Sequence, residues 1–163
     1  MTPPIVAYIA LGANLGNPRD TVQQAIGSLD RLPSTRLRQA SSLYLTAPMG
    51  LPDQPDFINA VACVTTRLSA PDLLEALLDL EQQQGRVRSV ANAPRTLDLD
   101  ILLYGDLILD TPALILPHPR LHLRAFVLEP LAEIAPDLPL PGRGSVAAWL
   151  PAVRNQKIRR LPC

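Results

Sequence analysis

Residues 57–85 read FINAVACVTTRLSAPDLLEALLDLEQQQG, and residues 96–104, beyond a loop, read TLDLDILLY. Residues 57–66 are rich in Val, Ile and Thr, which suit a pleated, half-buried surface, and predict a strand. Ser69, with Asp72 three residues on, resembles a capping box. Leu73, Leu74, Leu77, Leu78 and Leu80 then fill the apolar face of a helix that Gly85 ends. Residues 96–104 predict a further strand. Outward toward the start, residues 5–11 (IVAYIAL) predict a buried strand ended by Gly12, and residues 12–16 a turn. Asn17 caps the next helix, Pro18 fits its first position and Asp20 suits its positive end. Val22, Ala25, Ile26 and Leu29 recur at helical spacing, with a stop near Pro33. Residues 37–45 predict the second strand, and residues 46–56, with Pro48, Gly50, Pro52 and Pro55, a loop. The order β-α-β-β-α-β predicts an α+β, ferredoxin-like fold: an antiparallel sheet with helices on one face. After residue 105, short apolar runs at 107–109 and 114–116, helical segments near 121–134 and 145–150 and a last strand near 157–161 extend it.

The 163 residues suit a single domain, taken here as 1–163. Apolar residues make up 47% and charged residues 18%, enough for a core and the reverse of a disordered chain. Lys+Arg and Asp+Glu are both 15, and this balance argues against non-specific binding to nucleic acid or an anionic membrane. Cys63 and Cys163 form no metal or disulfide pattern; Cys63 lies in an apolar run and is expected in the core. The start MTPPIVAYIAL lacks a basic segment and a cleavage site, and no apolar run approaches about 18 residues. The expectation is a soluble, cytoplasmic protein.

Chemistry concentrates in Arg95-Thr96-Leu97-Asp98-Leu99-Asp100-Ile101. Side chains alternate along a strand, so Asp98 and Asp100 project together while Leu97, Leu99 and Ile101 enter the core. Paired carboxylates repel unless a cation lies between them. Magnesium commonly joins one or two carboxylates to substrate phosphates. A solvated acidic strand face explains the pair alone equally well. Glu81 continues the apolar stripe of the helix, where a carboxylate is costly and opposed by the helix dipole. Two readings stand: an exposed last-turn glutamate, or a carboxylate at the floor of a site. Arg86, Arg88 and Arg95 follow with no acid between them, and arginine forks match phosphate oxygens. Together these features suggest a nucleoside triphosphate held with magnesium, yet there is no Walker motif. His118 stands between Pro117 and Pro119, exposed and fixed, able to hydrogen-bond a phosphate or nucleobase.

The motifs resemble the 6-hydroxymethyl-7,8-dihydropterin pyrophosphokinase family over nearly the whole chain. The matching segments, in order, are residues 8–16 (YIALGANLG), 53–60 (DQPDFINA), Glu81 with 84–88 (QGRVR), 94–101 (PRTLDLDI), 117–120 (PHPR) and 124–128 (RAFVL). The resemblance implies transfer of the β,γ-diphosphate of ATP to the pterin hydroxymethyl oxygen, releasing AMP. It implies two magnesium ions on Asp98 and Asp100. It implies ATP contacts from Glu81, Arg86, Arg88, Arg95, Ile101, His118 and Arg124, with Arg86 and Arg95 also catalytic. Phe57 and Phe126 match an aromatic pair that sandwiches the pterin, Asn59 reads its edge, and Thr46 sits on the matching loop. The expected partners are ATP and the pterin, with no nucleic acid and no membrane, acting on a monomer.

Two departures from the family pattern stand out. Val90-Ala91-Asn92-Ala93 replaces a common Trp-Gly in a loop about one residue shorter, so the resemblance supplies no aromatic cover there. Ala47 replaces a common proline. Residues 86–94 are expected to close as a lid held by arginine–phosphate contacts. Two other classes remain: a non-catalytic ferredoxin-like ligand-binding regulatory module, which need not carry the aspartate pair, and an RNA-binding sheet, disfavoured by the zero net charge and the lack of paired strand aromatics.

Overall fold

The computed structural model of the chain describes residues 3–47, 56–83 and 97–162. Strand β1 (Ile5–Ala13) leads to helix α1 (Pro18–Leu29), then β2 (Thr35–Ala40), β3 (Tyr44–Thr46), β4 (Phe57–Thr66), α2 (Ala70–Gln83) and β5 (Asp98–Tyr104). All pairings are antiparallel: β5 lies beside β1, β1 beside β4, and β4 beside both β2 and β3. The antiparallel sheet with helices agrees with the α+β expectation.

The helix starts follow their sequence signals. The Asn17 side chain accepts the Asp20 amide at 3.5 Å, and the Ser69 hydroxyl accepts the Asp72 amide at 3.2 Å. Helix α1 ends at Leu29, ahead of Pro33. Gly85 and the expected lid at 86–94 lie outside the described residues.

Two strands differ from expectation. The second is broken between Ala40 and Tyr44, because Ser41 intrudes on the ladder. Its amide donates to the Val61 carbonyl at 2.8 Å, but the Val61 amide donates to its hydroxyl at 2.9 Å in place of a backbone carbonyl. Strand β1 does not end at Gly12. Partners on both sides carry it on, with Gly12 opposite Asn59 and Asp98, and Ala13 opposite Ile58.

The core has two halves, one on each face of the sheet. Ala7, Ile9 and Leu11 of β1, Ile58, Ala60 and Val64 of β4, and Leu99 and Ile101 of β5 meet Val22 and Leu29 of α1 and Leu73 and Leu77 of α2. On the second face, Tyr8, Ala10, Val61 and Leu103 meet α3 (Ala125–Ile134) and α4 (Val146–Trp149) through Leu128, Leu131 and Val146. Helices α1 and α2 share one face, as expected of the β-α-β-β-α-β unit, and the later elements extend the fold over the face that they leave bare. They include the short hairpins β6 (Leu109–Asp110) with β7 (Ile115–Leu116) and β8 (Pro139–Leu140) with β9 (Gly144–Ser145). The last strand, β10 (Ile158–Arg160), joins the main sheet beside β3. Strand alternation turns Cys63 to the second face opposite Tyr8, where it is only half-buried and not the core residue expected. No helix among the described residues is long and apolar enough to cross a membrane.

Candidate active site

Pairing register places Arg160 of β10, Tyr44 of β3, Asn59 of β4, Gly12 of β1 and Asp98 of β5 in one row across the sheet. Directly opposed residues of antiparallel strands present side chains to the same face, here the second. Asn59 and Asp98 are thus two strand spacings apart, about 10 Å, with only Gly12 between them. A Cβ on Gly12 would stand 2.8 Å from Asn59 Oδ1, so a larger residue there would have to displace the Asn59 side chain.

Asp100, opposite Ala10, shares the face of Asp98, and both aspartates are half-buried. Leu97 and Leu99 behind them are 0% and 4% exposed, as alternation requires. Glu81 is not an exposed last-turn residue. It is 1% exposed, and its Oε2 accepts the Leu99 amide at 2.7 Å. A buried carboxylate needs such partners. This one fixes the main chain of β5 between the two aspartates. The Ile101 side chain lies in the first core half, so any nucleotide contact there runs through its main chain.

His118 is half-buried and not exposed as its flanking prolines suggested; its amide donates to the Leu102 carbonyl at 2.9 Å, and its Nδ1 accepts the Arg120 amide at 3.1 Å. Neutral imidazole with an accepting Nδ1 carries its proton on Nε2. Burial, then the charges of Arg124 and Arg120, push the ring down to about 4 against the pull of Asp98. His118 is therefore a neutral hydrogen-bond donor near pH 7. Arg124 is lowered by burial and by Arg120, while Asp100 and Asp98 favour its charge. Asp98 thus acts on both His118 and Arg124, and Asp100 on Arg124. Arg124 lies 5.4 Å from the centroid of the Phe126 ring. Gln156 brackets its backbone: the side-chain amide donates to the Leu123 carbonyl and accepts the Ala125 amide, each at 2.9 Å.

The other end of the row holds the residues assigned to the pterin. Asn59 Nδ2 donates to Thr46 Oγ1 at 2.7 Å, and both residues are buried. Phe57 lies opposite Thr46, half-buried and outside both core halves of the described residues. Phe126 packs partly against the second. Arg86, Arg88 and Arg95 lie outside the described residues.

Among the described residues no group of three His, Cys, Asp or Glu could cage a metal. Two hard carboxylates on one strand face instead fit magnesium, which keeps waters and takes phosphate oxygens for its remaining positions. Sequence reading missed Gly12, Tyr44 and Gln156. A glycine inside a strand pattern signals close approach and could have flagged Gly12; the other two carry no local signal.

Residues 8–136 match the model of the 7,8-dihydro-6-hydroxymethylpterin-pyrophosphokinase family. The chain belongs to this family. Similar pyrophosphokinases, named for 2-amino-4-hydroxy-6-hydroxymethyldihydropteridine, occur in Pseudomonas aeruginosa and Haemophilus influenzae. The first is 50% identical over 155 residues, covering 95% of this chain and 96% of that one. The second is 44% identical over 157 residues, covering 96% and 98%. The fold is also that of a solved HPPK-DHPS in complex with substrates, at a TM-score of 0.76 and 14% identity. That match covers 99% of this pyrophosphokinase chain and 47% of the longer one.

Proposed function

We propose that the chain is the folate-pathway enzyme that transfers the β,γ-diphosphate of ATP to the hydroxymethyl group of 6-hydroxymethyl-7,8-dihydropterin and releases AMP. The observation that carries this reading is the row in which Asn59, pinned by Thr46, stands beside Asp98 across Gly12. A flat heterocycle at Asn59, stacked between Phe57 and Phe126, would point its hydroxymethyl arm over Gly12 toward phosphates at the aspartates. The oxygen–phosphorus bond forms at the β-phosphorus as the bond to the AMP oxygen breaks. Asp98 and Asp100 would hold magnesium, two ions in this reading, supplying charge neutralisation at the triphosphate. His118 donates from Nε2 and Arg124 binds as a cation at the phosphates, with Arg86, Arg88 and Arg95 as further ATP contacts. Glu81 acts from beneath, by fixing β5. Catalysis of this kind is mostly positioning and charge stabilisation.

We read the strand order β5-β1-β4 followed by β2 and β3 as the ferredoxin-like arrangement. We also read the chain as one domain acting as a cytoplasmic monomer, a state helped by β10, which covers an edge of β3. The regulatory-module alternative has no support, since relatives matched over 96% and 98% of their length are named as pyrophosphokinases. The deciding experiment is AMP formation from ATP with magnesium and the hydroxymethyldihydropterin. AMP that appears only when all three are present is expected; ADP as product, or no dependence on the pterin, overturns the reading.

A further inference from the structure

Glu133, on α3, touches none of the groups assigned to ATP or the pterin, yet it is the hub of a cluster of donors. Its Oε1 accepts the Tyr44 hydroxyl at 2.7 Å and the Ser42 amide at 3.0 Å. Its Oε2 accepts the Ser42 hydroxyl at 2.9 Å and lies 2.6 Å from Arg160 Nη2 of β10. Arg160 Nε also donates to the Ser42 hydroxyl at 3.2 Å, and its guanidinium stands 5.9 Å from the Tyr44 ring centroid. An ionised carboxylate is acceptor-only, and every group that meets this one is a donor.

The cluster acts on a particular place. Ser42 lies in the break between β2 and β3, where the ladder to β4 is interrupted. Tyr44 is directly opposite Asn59, and Thr46, two residues on and on the same face, takes the Asn59 amide. Strand β3 has only three residues. Its placement against β4 therefore depends on what holds its near end, and Glu133 holds that end by both backbone and side chain.

We propose that Glu133 is a positioning residue for the pterin half of the site, which through Ser42 and Tyr44 sets β3 so that Thr46 aligns the Asn59 amide. The inference rests on the pterin assignment of Thr46 and Asn59 made above. Burial opposes the Glu133 charge, and the bonds from Tyr44, Arg160 and Ser42 outweigh it, holding the carboxyl below its usual range. The acceptor is thus ionised wherever the enzyme would work.

The test is the steady-state kinetics of Glu133→Gln, which sets an NH2 group against the donors, and of Tyr44→Phe, which removes one donor and keeps the ring. Both are compared with Val22→Ala, which opens a cavity on the opposite face of the sheet and loosens the fold without touching the site. Glu133→Gln should raise the KM for the pterin by about tenfold or more while the KM for ATP stays within about twofold. Tyr44→Phe should shift the same constant by less, and remains informative if Glu133→Gln does not fold. Val22→Ala should lower the melting temperature and move neither KM. Unchanged pterin KM in a folded Glu133→Gln, or parallel rises in both KM values, overturns the inference. A wild-type enzyme that makes no pterin-dependent AMP would instead overturn the proposed function itself.

Discussion

At the scale of single residues, the site is decided by what is small and what is charged along one row. Gly12→Ala adds one methyl group, and its Cβ would meet an Asn59 oxygen at 2.8 Å. Asn59 cannot simply swing away, because its amide nitrogen is bonded to Thr46. Crowding of this kind costs about 1–3 kcal/mol. That cost falls on the fold and should lower the melting temperature; the same methyl group would also stand where the hydroxymethyl arm passes, so pterin affinity should fall in a fluorescence titration, and unaltered affinity would mean that the arm does not pass over Gly12. Asp98→Ala and Asp100→Ala remove side chains that face the site, and the core behind them is untouched. Turnover should drop by at least about a hundredfold, with the melting temperature little changed. Near-normal AMP formation in either variant would remove the metal reading. Much of this scale was legible in the sequence: alternation alone put the aspartates on one side and Leu97, Leu99 and Ile101 on the other. The size limit at Gly12 was not, because it depends on the place of an oxygen on a different strand.

At the scale of elements, α3 is tied to the end of β3 by the Glu133 carboxylate, and this tie has a pH dependence of fixed sign. The folded carboxyl titrates lower than in the unfolded chain, because its donors outweigh the cost of burial. Its stabilisation is therefore present above the unfolded value, about 4.3, and disappears as pH falls through the folded one. The difference in melting temperature between wild type and Glu133→Gln should be full at pH 7 and shrink in acid. A difference that persists unchanged at pH 3 would show that shape, not charge, sets it. Both long helices announced themselves through Asn17 and Ser69, whose bonds reach only three residues ahead. The break in the second strand did not, since the Ser41 hydroxyl that causes it takes an amide twenty residues away, at Val61. Such a bond leaves no trace in local periodicity.

For the whole molecule, the two halves of the core divide the labour. The face covered by α1 and α2 is an apolar support, while among the described residues the core on the face covered by α3 and α4 does not extend to the aspartates. Which face the later helices would take was not readable, because helical spacing shows that an apolar stripe exists and not what it meets. The closing segment serves both ends of the site. Gln156 fixes the backbone around Arg124, and β10 pairs with β3 at Ile158–Thr46 and Arg160–Tyr44. A chain ending at Gln156 keeps the first and loses the second. It should still bind an ATP analogue with magnesium in a calorimeter, with pterin affinity reduced by about tenfold or more; equal loss of both would mean that the ends are not separable. The pairing of β10 with β3 also bears on the order of events at the ribosome. Synthesis runs at about 5–20 residues per second, and the part of a growing chain still in the exit tunnel cannot pair. Residues 158–160 are the last of the sheet to be made, more than a hundred positions after the strand they cover. Gln156, which fixes the backbone around Arg124, precedes them by only two positions, so both ends of the nascent site mature together, once this segment has emerged.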